Sequence, residues 1–442
     1  MNFIPAFIRR RIEHRPNLLK IVDNIGWLFF DKILRMGVGL IVGVWIARYL
    51  GPEQFGLLSF ATAFVGLFGA TAGLAHQGIV VRDIVRDPSS KEETLGTAAM
   101  LQFIGGLIAY GLILGTIFWL RHDDVLAKGL VAIIGSMMLF DASKVVVYWF
   151  ESQVLSKYTV WPQNSSFLVF AAIKIGLILN NAPLIAFAWA TMAEAMVVAI
   201  LLGVMLEVRG PRLHHLSFTL GRAKSLLKDS WPLLLSSIAI VIYMRIDQIM
   251  LGQMVGDKAV GIYSAAVRVS EVWYFIPMMI VASVFPRLTE YHAKDKITYE
   301  LILQKFFRLL NIITVSFGIL IFLISEITIV VLFGEDYLES INVLKILGWI
   351  GFFVGIGLVR SKYLILEGFQ VYQAVFLVAG ASVNIMLNFF WIPLYEEIGA
   401  AWATFVAYFF IVFIGPLFFP SLRHLRSIVY KSMAVWPKRS SV

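Results

Sequence analysis

Twelve stretches of this chain, each of about twenty residues and dominated by apolar side chains, follow one another with only short polar breaks. They fall near residues 25–47, 55–80, 95–119, 126–149, 159–180, 184–206, 231–254, 262–285, 306–332, 341–365, 372–394 and 399–419. Peptide groups in hydrocarbon have no water to bond, so a run of this kind must satisfy them within itself, as a helix. The runs are too long and too poorly alternating for the strands of an outer-membrane barrel. With 59% hydrophobic and only 15% charged residues over 442 positions, a soluble globular domain is excluded as well. The predicted fold class is an all-α integral membrane protein of about twelve transmembrane helices, placed in an inner or plasma membrane. The first twenty residues are basic and interrupted by Pro5 and Pro16, so no cleavable signal is expected and the first span itself targets the chain. With no cysteine, disulfides, thiol catalysis and Cys metal sites are excluded.

The polar breaks divide by charge. Those on the side of the N-terminus hold 24 Lys and Arg, those on the other side hold 5, and the remaining 8 of 37 lie inside spans. Positive charge is retained on the cytoplasmic face, which puts both termini there. The net charge of +9 is thus a consequence of topology, and no nucleic-acid partner is implied. The longest break, 207–230, carries Arg209, Arg212, Arg222, Lys224 and Lys228 and reads as a linker between two six-span halves, 1–220 and 221–442. Its His214 and His215 are adjacent rather than four apart, a poor arrangement for a metal, and the linker is expected to touch lipid headgroups.

An internal repeat supports the division. Gly51-Pro-Glu-Gln-Phe-Gly56-Leu-Leu-Ser59-Phe-Ala61 aligns with Gly256-Asp-Lys-Ala-Val-Gly261-Ile-Tyr-Ser264-Ala-Ala266, and each copy joins the first and second spans of its half. Six spans per half return the chain to the same side, so the copies enter with equal polarity and a site is expected between the halves.

Lys32, Arg35, Lys144, Lys174, Arg245, Arg268, Arg360 and Lys362 are the eight intramembrane cations. Each costs roughly 3 kcal/mol at a helix centre, so they must face acids or a wet cavity rather than lipid. The intramembrane acids are Asp31, Asp141, Glu194, Asp247 and Glu271, too few to pair them all, although Arg360 and Lys362 lie near enough to an end to snorkel. Asn24, Asp31 and Arg35 share one helix face, as do Ser264, Arg268 and Glu271, and Asn384 with Asn388. Pairing of Arg268 with Glu271 would be purely structural. Arg245 and Asp247 lie about 200° apart on their helix, so they cannot line one surface. Arg245 is placed toward a cavity with Gln248, and Asp247 toward neighbouring helices with Tyr243, the reverse assignment staying open. A surplus of cations in low dielectric points to an anionic passenger, and phosphate oxygens fit the Arg fork best. Trp189, Trp273 and Trp391 are candidate platforms for sugar rings, though most aromatics here serve membrane packing.

The strings Arg48-Tyr-Leu-Gly-Pro-Glu-Gln-Phe-Gly56, Ile246-Asp-Gln-Ile-Met-Leu-Gly252 and Glu271-Val-Trp-Tyr-Phe-Ile-Pro277, running on to Phe285-Pro286, resemble those of the bacterial polysaccharide-export flippases of the Wzx type. These belong to the multidrug/oligosaccharidyl-lipid/polysaccharide exporter superfamily. The resemblance extends over essentially the whole chain and implies two six-helix bundles forming a V around a central cavity. It further implies a transporter, not an enzyme, which moves undecaprenyl-diphosphate-linked oligosaccharide repeat units across the bacterial inner membrane for surface polysaccharide such as O-antigen. Under it Lys32, Arg35, Lys144, Lys174, Arg245 and Arg268 are expected to bind substrate, Arg48 to act as an outer gate or loop anchor, and polysaccharide assembly proteins to be partners. Asp31, Asp141, Glu194, Asp247 and Glu271 are the candidates for coupling to H⁺ or Na⁺; no cofactor or metal site is expected. The rival readings are a cation-coupled drug exporter of the same superfamily, whose cavity should be acidic, a polymerase or ligase acting on the same lipid carrier, which needs a larger outer loop, and an assembly scaffold.

Overall fold

The computed structural model describes residues 16–433, so the start of the basic N-terminus and the end of the basic tail lie outside the described residues. No strand occurs among them. Helices α1 (Pro16–Ala72), α2 (Gln77–Arg86), α3 (Lys91–Leu120), α4 (Val125–Gly135), α5 (Lys144–Ser152), α6 (Lys157–Leu179) and α7 (Leu184–Arg209) precede the linker. After it come α8 (Leu220–Met254), α9 (Asp257–Val272), α10 (Phe275–Lys294), α11 (Lys296–Leu332), α12 (Ser340–Leu347), α13 (Ile350–Leu366), α14 (Gln370–Phe409) and α15 (Arg423–Met433).

Ten helical stretches among the described residues are long and apolar enough to cross a membrane. Two of them are broken internally, α1 at Gly51 and α14 at Glu396, so each supplies two spans. The total of twelve agrees with the sequence pattern. At Gly51 the backbone takes φ +69°, open to glycine at no steric cost, and Pro52 then begins the next helix without needing a hydrogen bond for its nitrogen. Glu396 takes φ +49° with a side chain present and so holds local strain at its turn. The fourth span tightens from α4 through 3₁₀ turns at Ser136–Ser143 before α5 begins at Lys144.

The chain forms two compact units. One comprises the described residues up to Leu50 together with Phe60–Val241, and the other comprises Gly51–Ser59 with the described residues from Ile242 onward, so α8 starts in the first and ends in the second. The first is packed around Val80, Ile84, Leu95, Leu101, Val145 and Leu226, with a satellite of Val146, Phe150, Leu202 and Leu206. The second has a larger core that includes Tyr299, Phe306, Phe307, Phe353 and Phe376. Outward faces stay apolar: Trp119, Val125 and Leu179 are all more than three-quarters exposed, as a lipid-facing surface requires and a water-facing one would avoid.

Candidate functional site

Within the first unit the intramembrane charges are organised as couples. Arg35 Nε donates to Asp31 Oδ1 at 2.8 Å across one turn of α1, and its guanidinium lies over Phe167 of α6. Lys144 Nζ donates to Asp141 Oδ2 at 2.7 Å, three residues back. Lys174 on α6 reaches Glu194 on α7 at 2.9 Å. The expectation of unpaired cations is therefore not met for these three: the acids sit on the same or a facing helix, where low dielectric favours contact. Lys32, also exposed, is the one of the four without a partner among the described residues.

The couples differ in access. The Lys144 side chain is 53% exposed while Asp141 is 12%, so the ammonium stands in open space with its carboxylate behind it. Arg35 is similar in kind, at 35% against 22%. Lys174 and Glu194 are 16% and 18% exposed, an enclosed joint between α6 and α7. Asn24, on the polar face of α1, accepts from the Ser156 amide and ties α1 to the start of α6.

In the second unit Glu271 pairs with Arg245 at 3.7 Å, not with Arg268 three residues away. Arg268 instead lies over the ring of Phe55. Gln248 is buried and donates to Ser264, so it does not accompany Arg245 to an open surface. Arg360 is 3% exposed and does not snorkel, while Lys362 lies over Phe285. Trp273 is buried, stacked on Phe317, and cannot serve as a sugar platform. Arg48 is exposed, three residues before the break at Gly51.

Asp247 faces neighbouring helices, where α9 and the two halves of α14 converge on its carboxylate. Tyr263 of α9 donates at 2.8 Å and the Thr404 hydroxyl of α14 lies at 2.6 Å, both on Oδ2, and the Asn388 amide donates to Oδ1. Asn384 completes the group, accepting from Asn388 at 3.1 Å. Among the described residues no cation stands opposite Asp247, which is 4% exposed, and the carbonyl oxygen of Asn388 is buried without a partner. The result is a buried carboxylate held by two hydroxyl donors and one amide donor. Tyr243, one turn earlier on the same helix, is buried with it and packs on Tyr408. The sequence reading found Asp247 and the Asn384/Asn388 face but missed Thr404 and Tyr263; Tyr263 lies inside the repeat, a signal that could have found it, whereas Thr404 stands in an apolar run with none.

The repeat copies meet inside the second unit. Gly256 matches Gly51 in having a positive φ, of +132°. A Cβ on Gly56 would collide with the carbonyl of Asp257, and one on Gly261 with that of Pro52. Each copy thus presses its second glycine against the residue that follows the first glycine of the other, a self-complementary contact that small residues alone allow.

A sequence profile described as polysaccharide biosynthesis protein matches residues 21–292. The chain belongs to that family. A second profile, MatE, matches residues 232–390 of this polysaccharide biosynthesis protein. A protein of Escherichia coli strain K12 provisionally named an O-antigen transporter is 21% identical over 397 residues, 87% of this chain and 93% of that one. Among solved structures, the lipid II flippase MurJ in an inward closed conformation superposes with TM-score 0.71 at 16% identity, covering 93% of this chain and 90% of its own. An inward-facing multidrug resistance transporter of the MATE family and MOP superfamily gives TM-score 0.70 at 15% identity, covering 93% and 100%. Both solved structures share the all-helical fold of this chain, whose long apolar helices make it a multi-pass membrane protein.

Proposed function

We propose that this polysaccharide biosynthesis protein moves polyprenyl-diphosphate-linked oligosaccharide repeat units from the cytoplasmic to the outer leaflet of the bacterial inner membrane, both termini being cytoplasmic. The reading rests on one observation above others: in the first unit the Lys144 ammonium and, less fully, the Arg35 guanidinium stand open while the carboxylates that balance them lie behind. A diphosphate arriving in a cation-lined cavity exchanges with those carboxylates, and they re-pair when it leaves, so no cation is stranded in low dielectric at either stage. Lys32 adds a charge with no acid to displace. Lys174 with Glu194 acts as a structural joint, Arg245 with Arg268 as the second basic group, and Arg48 as an anchor of the outer loop. Alternating access then exposes the loaded site to each side in turn.

Release of a tightly held anion needs a driving force. Of the five acids, Asp247 is the best placed for coupling, because it is buried among neutral donors with no counter-ion and must take up a proton or hold a sodium ion to remain there. The potential of a negative interior also favours outward passage of net negative charge.

Arg35→Ala and Lys144→Ala, each introduced into cells lacking their own flippase, test the reading. Surface glycan is expected to fall sharply in both; undiminished polymer at normal protein levels would remove these residues from the substrate path. A cation-coupled drug exporter is the second reading, favoured by the MATE likeness, and it requires an acidic binding surface where Lys32, Arg35 and Lys144 are found.

A further inference from the structure

Arg360 presents a problem of charge that the transport reading does not use. It lies near the end of α13, 3% exposed, in a span whose surroundings are apolar. Its Nη1 donates to the carbonyl of Ile411 at 2.6 Å, and the guanidinium lies over the ring of Phe376 at 4.9 Å. No carboxylate accompanies it, and its Nε is buried without a partner. A guanidinium offers five N–H donors in one plane, so most of its capacity goes unused by the protein. The Ile411 carbonyl is itself available because residues Phe410–Ile414 form a single π-helical turn, a distortion that frees carbonyls from the regular ladder and recurs at binding sites.

Beside this guanidinium opens a narrow, half-enclosed cleft. Its walls are Ile356 of α13, Val412 and Pro416 beyond the π turn, and Val429 of α15, while Arg426 and Tyr430 of α15 stand at its edge. α15 is amphipathic: Leu425, Ile428, Val429 and Ser432 face inward and Arg423, Tyr430 and Lys431 outward. Next to the cleft Leu417 and Phe418 are 49% and 69% exposed, an apolar surface suited to acyl chains. A basic interfacial helix over an apolar shelf is the arrangement by which proteins engage anionic lipid.

We propose that this cleft binds the phosphate of an anionic phospholipid headgroup, with Arg360 at its base and Arg426 at its mouth. Phosphate is the shared chemistry, since the planar fork matches its oxygens and neutralises an otherwise unbalanced buried charge. The apolar walls select a lipid over free phosphate, because they offer an inorganic anion no hydrogen bonds while they pack against glycerol and acyl methylenes. The inner part of the cleft now has room for little more than a water molecule, so Arg426 and Tyr430, both partly exposed, turn outward as the headgroup enters. Bound lipid then joins α13, the π turn and α15.

Delipidated protein in mild detergent, titrated separately with short-chain phosphatidylglycerol, phosphatidylcholine, sodium phosphate and farnesyl diphosphate, tests this by native mass spectrometry. One phosphatidylglycerol adduct is expected to be held about tenfold more tightly than phosphatidylcholine, with sodium phosphate not retained. Arg360→Met and Arg426→Gln should each abolish that preference. If Arg360→Met fails to fold, Arg426→Gln still decides, because its side chain lies at the surface of α15. Equal retention of the two lipids, or a preference unchanged by Arg426→Gln, overturns the proposal. Sodium phosphate displacing the lipid would make this a free-anion site, and farnesyl diphosphate displacing it would assign the cleft to the transported carrier; either result overturns the lipid assignment. Loss of glycan display in Arg35→Ala bears on the transport path alone and leaves this test untouched.

Discussion

At the residue scale, exposure decides what each charge does. Lys174 and Glu194 are both enclosed, so Lys174→Ala leaves a carboxylate buried without its cation, a loss of roughly 3–5 kcal/mol. The double variant Lys174→Ala with Glu194→Gln should recover most of it, as melting temperature would report; failure to recover would mean that packing, not charge, holds the joint. Lys144 behaves differently, since its ammonium is 53% exposed: Lys144→Ala should cost under about 1 kcal/mol while lowering glycan display. Asp247 combines burial with function. Asp247→Asn keeps the hydrogen-bonding shape and removes the charge, so the protein should fold normally and lose at least about tenfold in ion-driven transport. Transport by Asp247→Asn at the wild-type rate and with the wild-type ion dependence would exclude this carboxylate from coupling.

At the element scale, two kinds of terminus matter. The paired glycine contacts at Gly56 and Gly261 join a helix end in each copy of the repeat, and there is no space for a side chain at either. Gly261→Val should lower the melting temperature more than Gly357→Val, because Gly357 has nothing within reach of a Cβ; equal shifts would show the contact to be incidental. The N-terminus of α11 is capped by Asp295, whose carboxylate accepts from the amides of Ile297 and Thr298 and from the Thr298 hydroxyl. Those bonds hold its pKa below the usual carboxylate value, the Thr298 hydroxyl contributing most. A depressed folded-state pKa stabilises fully above the unfolded value, near 4, and the gain is lost as pH falls through the folded one. The melting difference between wild type and Asp295→Ala should therefore be larger at pH 7 than at pH 3, and a difference that grows on acidification would contradict the cap.

At the scale of the whole molecule, the absence of cysteine makes topology directly measurable. Asp123→Cys and Asn181→Cys, in short turns on the charge-poor side, should react with an impermeant maleimide in intact cells, whereas Ser89→Cys and His214→Cys should react only after lysis. Labelling of His214→Cys from outside would invert the orientation.

The span pattern was legible because hydrocarbon imposes one solution on a long apolar run, and the breaks at Gly51 and Glu396 fall in the gaps read from the sequence. The repeat likewise matched Gly51 with Gly256, which both take positive φ, and Gly56 with Gly261, which both permit close approach. By itself, then, the sequence determined how many times the chain crosses, which loops carry the positive charge and where the helices must bend, since all three depend on local composition. Only the tertiary structure decided which charges are balanced. Glu194 finds Lys174 twenty residues away, Glu271 chooses Arg245 over its own helical neighbour, and Asp247 and Arg360 find no counter-charge, because a partner in low dielectric is fixed by which helix faces which, and no count along one chain contains that information.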